Sequence, residues 1–181
     1  SARSSRPPEP VPRLVIPVLP AGTFTATEQP TLDQLRPWRD SDVPAVLEAF
    51  NDPEIMQWHV RRIDSDAEAR DWIAQWQPRW SAEEAASWAI TAPDDTAIGQ
   101  AGLRSINLTD GTASLSYWVL PTARGQGLAL GAVQTLERWC FALGFHRLTI
   151  DHSTRNPASC RVATKAGYPE EGTLRSAWLH P

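Results

Sequence analysis

The sequence predicts an α+β fold in which a mixed, mostly antiparallel central sheet is flanked by about four helices. Three observations lead there. Extended apolar runs at residues 88–90, 97–106 and 113–120 follow one another with turn residues between them, the pattern of successive antiparallel strands. Segments with helical apolar spacing lie on both sides of that block, and most open on a capping signal. The resulting order, β-α-α-β-β-β-α-β-α-β, interleaves the two element types and indicates a sheet of mixed direction.

The elements follow in chain order. Pro7, Pro8, Pro10, Pro12, Pro17, Pro20 and Pro30 fall within residues 1–30, a density that forbids a regular helix and favours extended chain. Residues 1–12 read as a tail. Leu14, Val15, Ile16, Val18 and Leu19 form an apolar stretch suited to packing on the body or on a second subunit. The domain itself is expected over residues 31–181. Residues 32–39 read as its first strand. Ser41 or Asp42 caps a helix that tolerates Pro44 in its first turn and carries Val46, Leu47 and Phe50 on its apolar stripe. Asn51-Asp52-Pro53 breaks it. Ser65-Asp66-Ala67-Glu68 is a capping box, followed at helical spacing by Ala69, Trp72, Ile73 and Trp76 until Pro78. Asp94-Asp95 and Thr109-Asp110-Gly111 supply the turns between the central strands. A long helix runs from Gly127 to Leu143 with Ala129, Val133, Leu136 and Cys140 on one side, and Gly144 stops it. Residues 148–150 are a short buried strand. Asn156 and Pro157 begin another helix, which ends at Gly167, and the chain from Tyr168 onward is again extended.

Bulk properties bound the function. A length of 181 residues suits one domain, enough to bury roughly two-thirds of the unfolded surface. The net charge of −4 argues against a nucleic-acid platform. Cys140 and Cys160 lie in helical patterns and read as thiols of a reducing compartment. No apolar run approaches the roughly 20 residues of a membrane span, and residues 1–30 lack the pattern of a signal peptide. The expectation is a cytoplasmic protein with no membrane or nucleic-acid partner, as a monomer or homodimer. Four scattered histidines without close carboxylate or cysteine partners give no metal-site pattern.

The strongest motif is Arg124-Gly125-Gln126-Gly127-Leu128-Ala129. It joins a strand that ends at Pro121 to the long helix, which aims backbone N–H groups and a positive helix terminus at one anion. A Walker loop would need Gly-Lys-Ser/Thr at its end, which is absent. The dinucleotide fingerprint fails on spacing, since Gly125, Gly127 and Gly131 are one residue off and follow antiparallel strands. A coenzyme A pyrophosphate site of the form [Q/R]-x-x-G-x-[G/A] fits all six residues. A ligand-free glycine-rich helix entry fits them as well.

Further matching segments are Leu35-Arg36-Pro37-Trp38, Ile98-Gly99, Tyr117-Trp118-Val119, Asn156-Pro157-Ala158-Ser159, Lys165-Ala166-Gly167-Tyr168 and Glu171-Gly172. With them the chain resembles the GNAT superfamily of acetyl-CoA-dependent N-acetyltransferases, in its ribosomal-protein N-terminal (RimJ/RimL-like) branch. The resemblance implies that backbone groups of Trp118, Val119 and Leu120 meet the pantetheine arm, with an N–H near Val119 acting as an oxyanion hole. It implies that Arg124, Gly125, Gln126, Gly127, Leu128 and Ala129 hold the pyrophosphate, and that Asn156 and Ser159 contact the coenzyme arm. Capping and turn chemistry would account for Asn156 and Ser159 equally.

The chain departs from the family in carrying Tyr168 where phenylalanine is usual and Ser116 where glycine is common. Tyr168 is a candidate general acid for the departing thiolate, or a core aromatic. Relatives continue beyond the residues that end here at Trp178-Leu179-His180-Pro181 into a last strand closing the acceptor side, so that strand is expected to be missing. Glu54, His59 and Tyr117 are candidate bases, and Ser159 joins the candidate catalytic groups. Trp58, among nine tryptophans, is a candidate for an apolar acceptor groove. The implied activity is direct acetyl transfer from acetyl-CoA to a primary amine in a ternary complex, preferably a protein or peptide N-terminus. A small amine such as an antibiotic or polyamine is the alternative acceptor. A catalytically weak acyl-CoA-binding module is the alternative class.

Overall fold

The computed structural model describes residues 19–24, 29–59 and 61–177. Five strands lie side by side in chain order: β1 (Leu35–Pro37), β2 (Ala86–Thr91), β3 (Ala97–Asn107), β4 (Thr112–Val119) and β5 (Arg147–Ile150). The pairs from β1 to β4 are antiparallel, whereas β4 and β5 run parallel. The helices are α1 (Val43–Asn51), α2 (Pro53–Met56), α3 (Asp66–Ala74), α4 (Trp76–Ser81), α5 (Leu128–Leu143) and α6 (Pro157–Lys165). Tight hairpins explain the antiparallel part. Asp95 takes φ 68° in the β2–β3 turn and Gly111 takes φ 64° in the β3–β4 turn. The parallel partner arises because α5 carries the chain back along the sheet before β5 begins.

Alternation along the strands divides the side chains between two faces. Trp88, Ile90, Ala101, Leu103 and Leu115 are buried under α5 with Val133, Leu136 and Cys140. Trp118 points the other way, into a second cluster with Val46, Phe50, Trp72 and Trp76 from α1, α3 and α4. Leu19 and Phe24, from the proline-rich segment, are buried in the first cluster, and Phe24 meets Trp80 edge-on at 4.9 Å. Glu83 fixes that segment by accepting hydrogen bonds from the N–H groups of Gly22 at 2.9 Å and Phe24 at 2.8 Å. Packing of the body therefore begins before Thr31. Residues 1–18 and 178–181 lie outside the described residues, as do the expectations that fell on them.

Four expectations are corrected. The first strand is Leu35–Pro37 alone, with an isolated bridge between Leu32 and Leu35 before it. Asp42 stands at the N-cap of α1, but its carboxylate binds Arg36 and the Arg39 N–H and leaves the helix uncapped. Pro78 does not stop the second helical region. The chain bends at Gln75 instead, so Pro78 sits in the first turn of α4, where no intrahelical N–H is required. Finally, residues 168–177 form no strand. Pro169 has no N–H for a ladder, Gly172 sits at φ 153°, and Glu171 is drawn aside into an ion pair with Arg147. The outer edge of β5 borders a groove of about 1010 Å³ between α6 and this segment.

Arg36 ties the hairpins to α1. Its guanidinium donates to both Asp42 oxygens at 2.7 and 2.9 Å and to Asp95 at 2.8 Å, with Arg36 and Asp42 about 95% buried. Removing one partner strands a buried cation. Asp42→Ala is expected to lower unfolding stability by about 3 kcal/mol, read from urea denaturation; a loss below about 1 kcal/mol would show that Asp95 alone suffices.

Candidate active site

The site begins where two strands part. Pairing of β4 with β5 runs from Thr112↔Arg147 to Leu115↔Ile150 and ends there, while β4 continues through Ser116 to Val119. On its other side β4 stays paired with β3 up to Gly99↔Val119. The hydrogen bond from Leu120 N–H to Ile98 C=O sets the phase of that ladder. Antiparallel strands alternate bonded and non-bonded pairs, so Trp118 and Ser116 face β3 with their backbone groups. Tyr117 and Val119 therefore turn their N–H and C=O groups into the cleft. The same phase gives Leu120 N–H to the sheet, so of the three expected residues only Val119 offers its amide.

Helix α6 holds the cleft open. Asn156 caps it by accepting from Ser159 N–H at 3.0 Å, and Pro157 occupies its first turn. The Tyr117 hydroxyl then reaches Ser159, 2.8 Å from its Oγ and 3.3 Å from its C=O. Burial pushes the Tyr117 phenol up, partly offset by the Ser159 hydrogen bond, so it keeps its proton at neutral pH.

At the end of β4 the chain makes one 3-10 turn (Pro121–Ala123) and enters the glycine motif. Gly125 and Gly127 both adopt φ 77°, and a Cβ built on either would meet nothing within 4 Å. None of the N–H groups of Gly125, Gln126, Gly127, Leu128, Ala129 and Leu130 has a partner among the described residues; the first helical bond runs from Gly131 N–H to Gly127 C=O. Open space over exposed N–H groups, at the positive end of a 16-residue helix, fits a diphosphate. Arg124 has other work. Its own N–H bonds Pro121 C=O at 3.3 Å, and its side chain binds Asp52 at 3.1 Å, Glu54, and Val119 C=O at 3.3 Å. Glu54 is thus engaged with Arg124 beside the glycine turn.

The other expected residues are dispersed. Tyr168 packs against the α5 cluster, and its buried hydroxyl has no partner among the described residues. Burial and nearby Glu137 and Cys140 push its pKa far up. Those neighbours lie nine to twelve residues beyond the start of α5, roughly 14–18 Å along the helix from the glycine turn. Trp58 follows α2 and is half-buried. His59 packs on Phe50 at 5.6 Å, on the α1–α3 face of the sheet. Burial and the positive charge of Arg104 hold its pKa below the ordinary 6.5.

Sequence reasoning missed the roles of Asp52 and Arg104, and noted Ser116 only as a departure from the family. Asp52, which orients Arg124 and caps α2 through Ile55 N–H at 2.9 Å, was read only as part of a breaker. Arg104 and Ser116 lie on the face of the sheet opposite α5, where Arg104 Nε donates to Ser116 Oγ at 3.2 Å. A signal existed for Arg104: it shares a period-two face with Gln100 and Gly102 inside an otherwise apolar strand.

The domain and its fold are matched by known proteins. The acetyltransferase (GNAT) domain family matches residues 34–169. The chain belongs to that family and is an N-acetyltransferase with the GNAT fold. In sequence it is 26% identical over 144 residues to the Uncharacterized N-acetyltransferase YoaA of Bacillus subtilis (strain 168), covering 78% of this chain and 81% of that one. In structure it is similar to the ribosomal L7/L12 α-N-protein acetyltransferase RimL in complex with coenzyme A, at TM-score 0.74 and 23% identity, covering 81% and 85% of the two chains. It is also similar to the spermidine N-acetyltransferase of Vibrio cholerae in complex with CoA and spermine, at TM-score 0.71 and 19% identity, covering 82% and 89%. These structural likenesses concern the fold.

The geometry makes one electrostatic prediction. Arg104→Gln removes a cation that disfavours the imidazolium, so the His59 midpoint is expected to move upward in an NMR titration of its ring protons. An unchanged midpoint would leave burial as the sole cause.

Proposed function

We propose that the protein transfers an acetyl group from acetyl-CoA to a primary amine, with a protein or peptide N-terminal α-amine as the preferred acceptor. The observation that supports this most directly is the cleft itself. Val119 N–H points into it beside six partnerless N–H groups on the glycine turn. Bound acetyl-CoA would supply a thioester, whose carbonyl carbon is the electrophile.

In this reading the N–H groups of residues 125–130 hold the pyrophosphate, and Tyr117 and Val119 pair their backbone with the pantetheine arm. Val119 N–H lies where an oxyanion develops during attack. Arg124 braces that strand end through the Val119 carbonyl. The Tyr117–Ser159 hydroxyl pair, protonated at neutral pH, delivers a proton to the leaving sulfur. His59 takes the proton from the attacking amine, since its depressed pKa leaves the ring neutral at pH 7. Its demand is modest for an α-amine, whose pKa near 8 leaves about a tenth already neutral. The half-buried cation Arg104 and its neighbour Arg79 stand on the acceptor face, which speaks against a polyamine and for the peptide.

Two experiments test the reading. Gly127→Glu places a carboxylate in the space over the helix terminus, and calorimetric titration with CoA is expected to show no binding; unchanged affinity would refute the assignment. His59→Gln is expected to lower kcat/KM by about 100-fold, followed through release of free thiol. With the wild type, kcat/KM should fall with acid through a midpoint below 6.5, as His59 becomes protonated. That limb should vanish in the variant. If the limb persists, His59 is not the base.

A further inference from the structure

We infer that the acceptor carries an oxyanion, a carboxylate or phosphate, which binds Arg104 on the sheet face opposite α5. The inference rests on the proposed acetyl transfer for the identity of the acceptor, and on independent geometry for the anion.

Arg104 is a half-buried cation on this face that has no counter-ion among the described residues. It leaves β3 next to a bulge: Arg104 pairs with Ser114, the next pair is Asn107↔Thr112, and Ser105 between them has φ 49°. Bulges of this kind re-aim a side chain. The guanidinium lies over the ring of Trp76, 4.4 Å from its centroid, and Nε donates to Ser116 Oγ at 3.2 Å. No carboxylate among the described residues comes within 4.0 Å of it. The two Nη groups have no hydrogen-bond acceptor there. Instead a second cation is near, since Arg79 lies over the same Trp76 ring at 5.7 Å.

Trp76 adds a second, independent sign. The residue is 3% exposed, and its Nε1–H has no partner among the described residues. A buried donor left unpaired has given up its water without a replacement. That donor belongs to the ring beneath the Arg104 guanidinium. One oxyanion at this place would receive hydrogen bonds from the Nη groups and bring a charge opposite to two cations. The chain elsewhere pairs its buried arginine: Arg36 has Asp42 and Asp95. Arg104 is the exception.

The position sets the size of the acceptor. Arg104 is anchored at Ser116, three residues along β4 from Val119, which is about 10 Å at 3.3 Å per residue. An extended peptide advances about 3.3–3.6 Å per residue. With its α-amine at Val119, its third side chain comes nearly level with Arg104, and its second stands one residue short of it. An acidic residue there meets the geometry, as does an amine carrying a phosphate at similar reach.

The test uses the full chain and needs no knowledge of the natural acceptor. Peptides Ala-Asp-Ser-Phe and Ala-Ser-Asp-Phe are compared with their asparagine counterparts, and an aminoalkyl phosphate with the matching amino alcohol. Transfer is followed as free thiol, and binding to the CoA-loaded protein by calorimetry. The acidic member of a pair is expected to be favoured by about 10- to 100-fold in kcat/KM, mainly through KM, as for a hydrogen bond to a charged group. Arg104→Gln should bring that ratio near one, and Arg104→Lys should recover part of it. Preference for acidic peptides or for the phosphate supports the inference and names the source of the anion. Transfer to acidic and neutral acceptors alike overturns it while leaving acetyl transfer standing. Arg104-dependent binding of the acidic peptide without any transfer supports the anion site and sinks the transfer reading. The wild-type comparison decides even where Arg104→Gln fails to fold.

Discussion

The site depends on β4 losing its parallel partner after Ile150. Had β5 run on, its backbone would have consumed the N–H and C=O groups of Tyr117 and Val119, as it does those of Ala113 and Leu115 nearby. The chain leaves instead through residues 151–155 and enters α6, whose first turn is fastened to β4 by the Tyr117–Ser159 pair. Unpaired backbone groups in a cleft are stable only with water or a ligand to meet them. A linear ligand with alternating amide donors and acceptors, laid along β4, would complete the ladder that β5 abandons. The parting of two strands thus creates the recognition surface without any special side chain.

The period-two alternation of a strand then assigns work to each face. Leu115 and Tyr117 look towards α5 and α6, where the anion cradle lies; Ser116 and Trp118 look towards α1, α3 and α4. Arg124 couples the two. Its side chain is held by Asp52 and Glu54 from the helical side, and its Nε supports the Val119 carbonyl at the mouth of the cleft. Moving α2 would release Arg124 and loosen the strand end that carries the proposed oxyanion donor. Glu54 is thereby engaged as a positioning residue, whereas His59, with no ion-pair partner among the described residues and a pKa held below 6.5, is left as the base of the proposed reaction.

Much of this was legible from local chemistry. Gly127 and Gly144 bracket α5 as their φ freedom requires, Ser65 caps α3 through Glu68 N–H, and Asn156 caps α6. Each is a short-range signal between residues three or four apart. What stayed hidden is long-range. Asp42 looked like a cap because nothing in its neighbourhood says that Arg36 is buried against it. Pro78 looked like a stop because the bend that places it in a first turn is set by packing of Trp72, Trp76 and Trp80 on different clusters. The partners of Arg124 are 70 and 72 residues away. The strand period could have put Arg104 on the face of Gln100, but not the lack of a carboxylate beside it, which depends on residues far away in the chain.

That absence bears on how the acceptor face works. Burial and the nearby Arg79 push the Arg104 guanidinium down to about 10, yet leave it charged at pH 7. An isolated cation in such a place lowers stability relative to an apolar side chain of similar volume, and it also weakens the proton affinity of His59. Both effects would be relieved by the proposed anion. The guanidinium gains a partner, and His59 regains proton affinity at the moment an ammonium group must be deprotonated beside it. An acceptor without the anion would find a weaker base. Recognition and proton transfer would then be linked through one charge, with most of the selectivity expressed in binding.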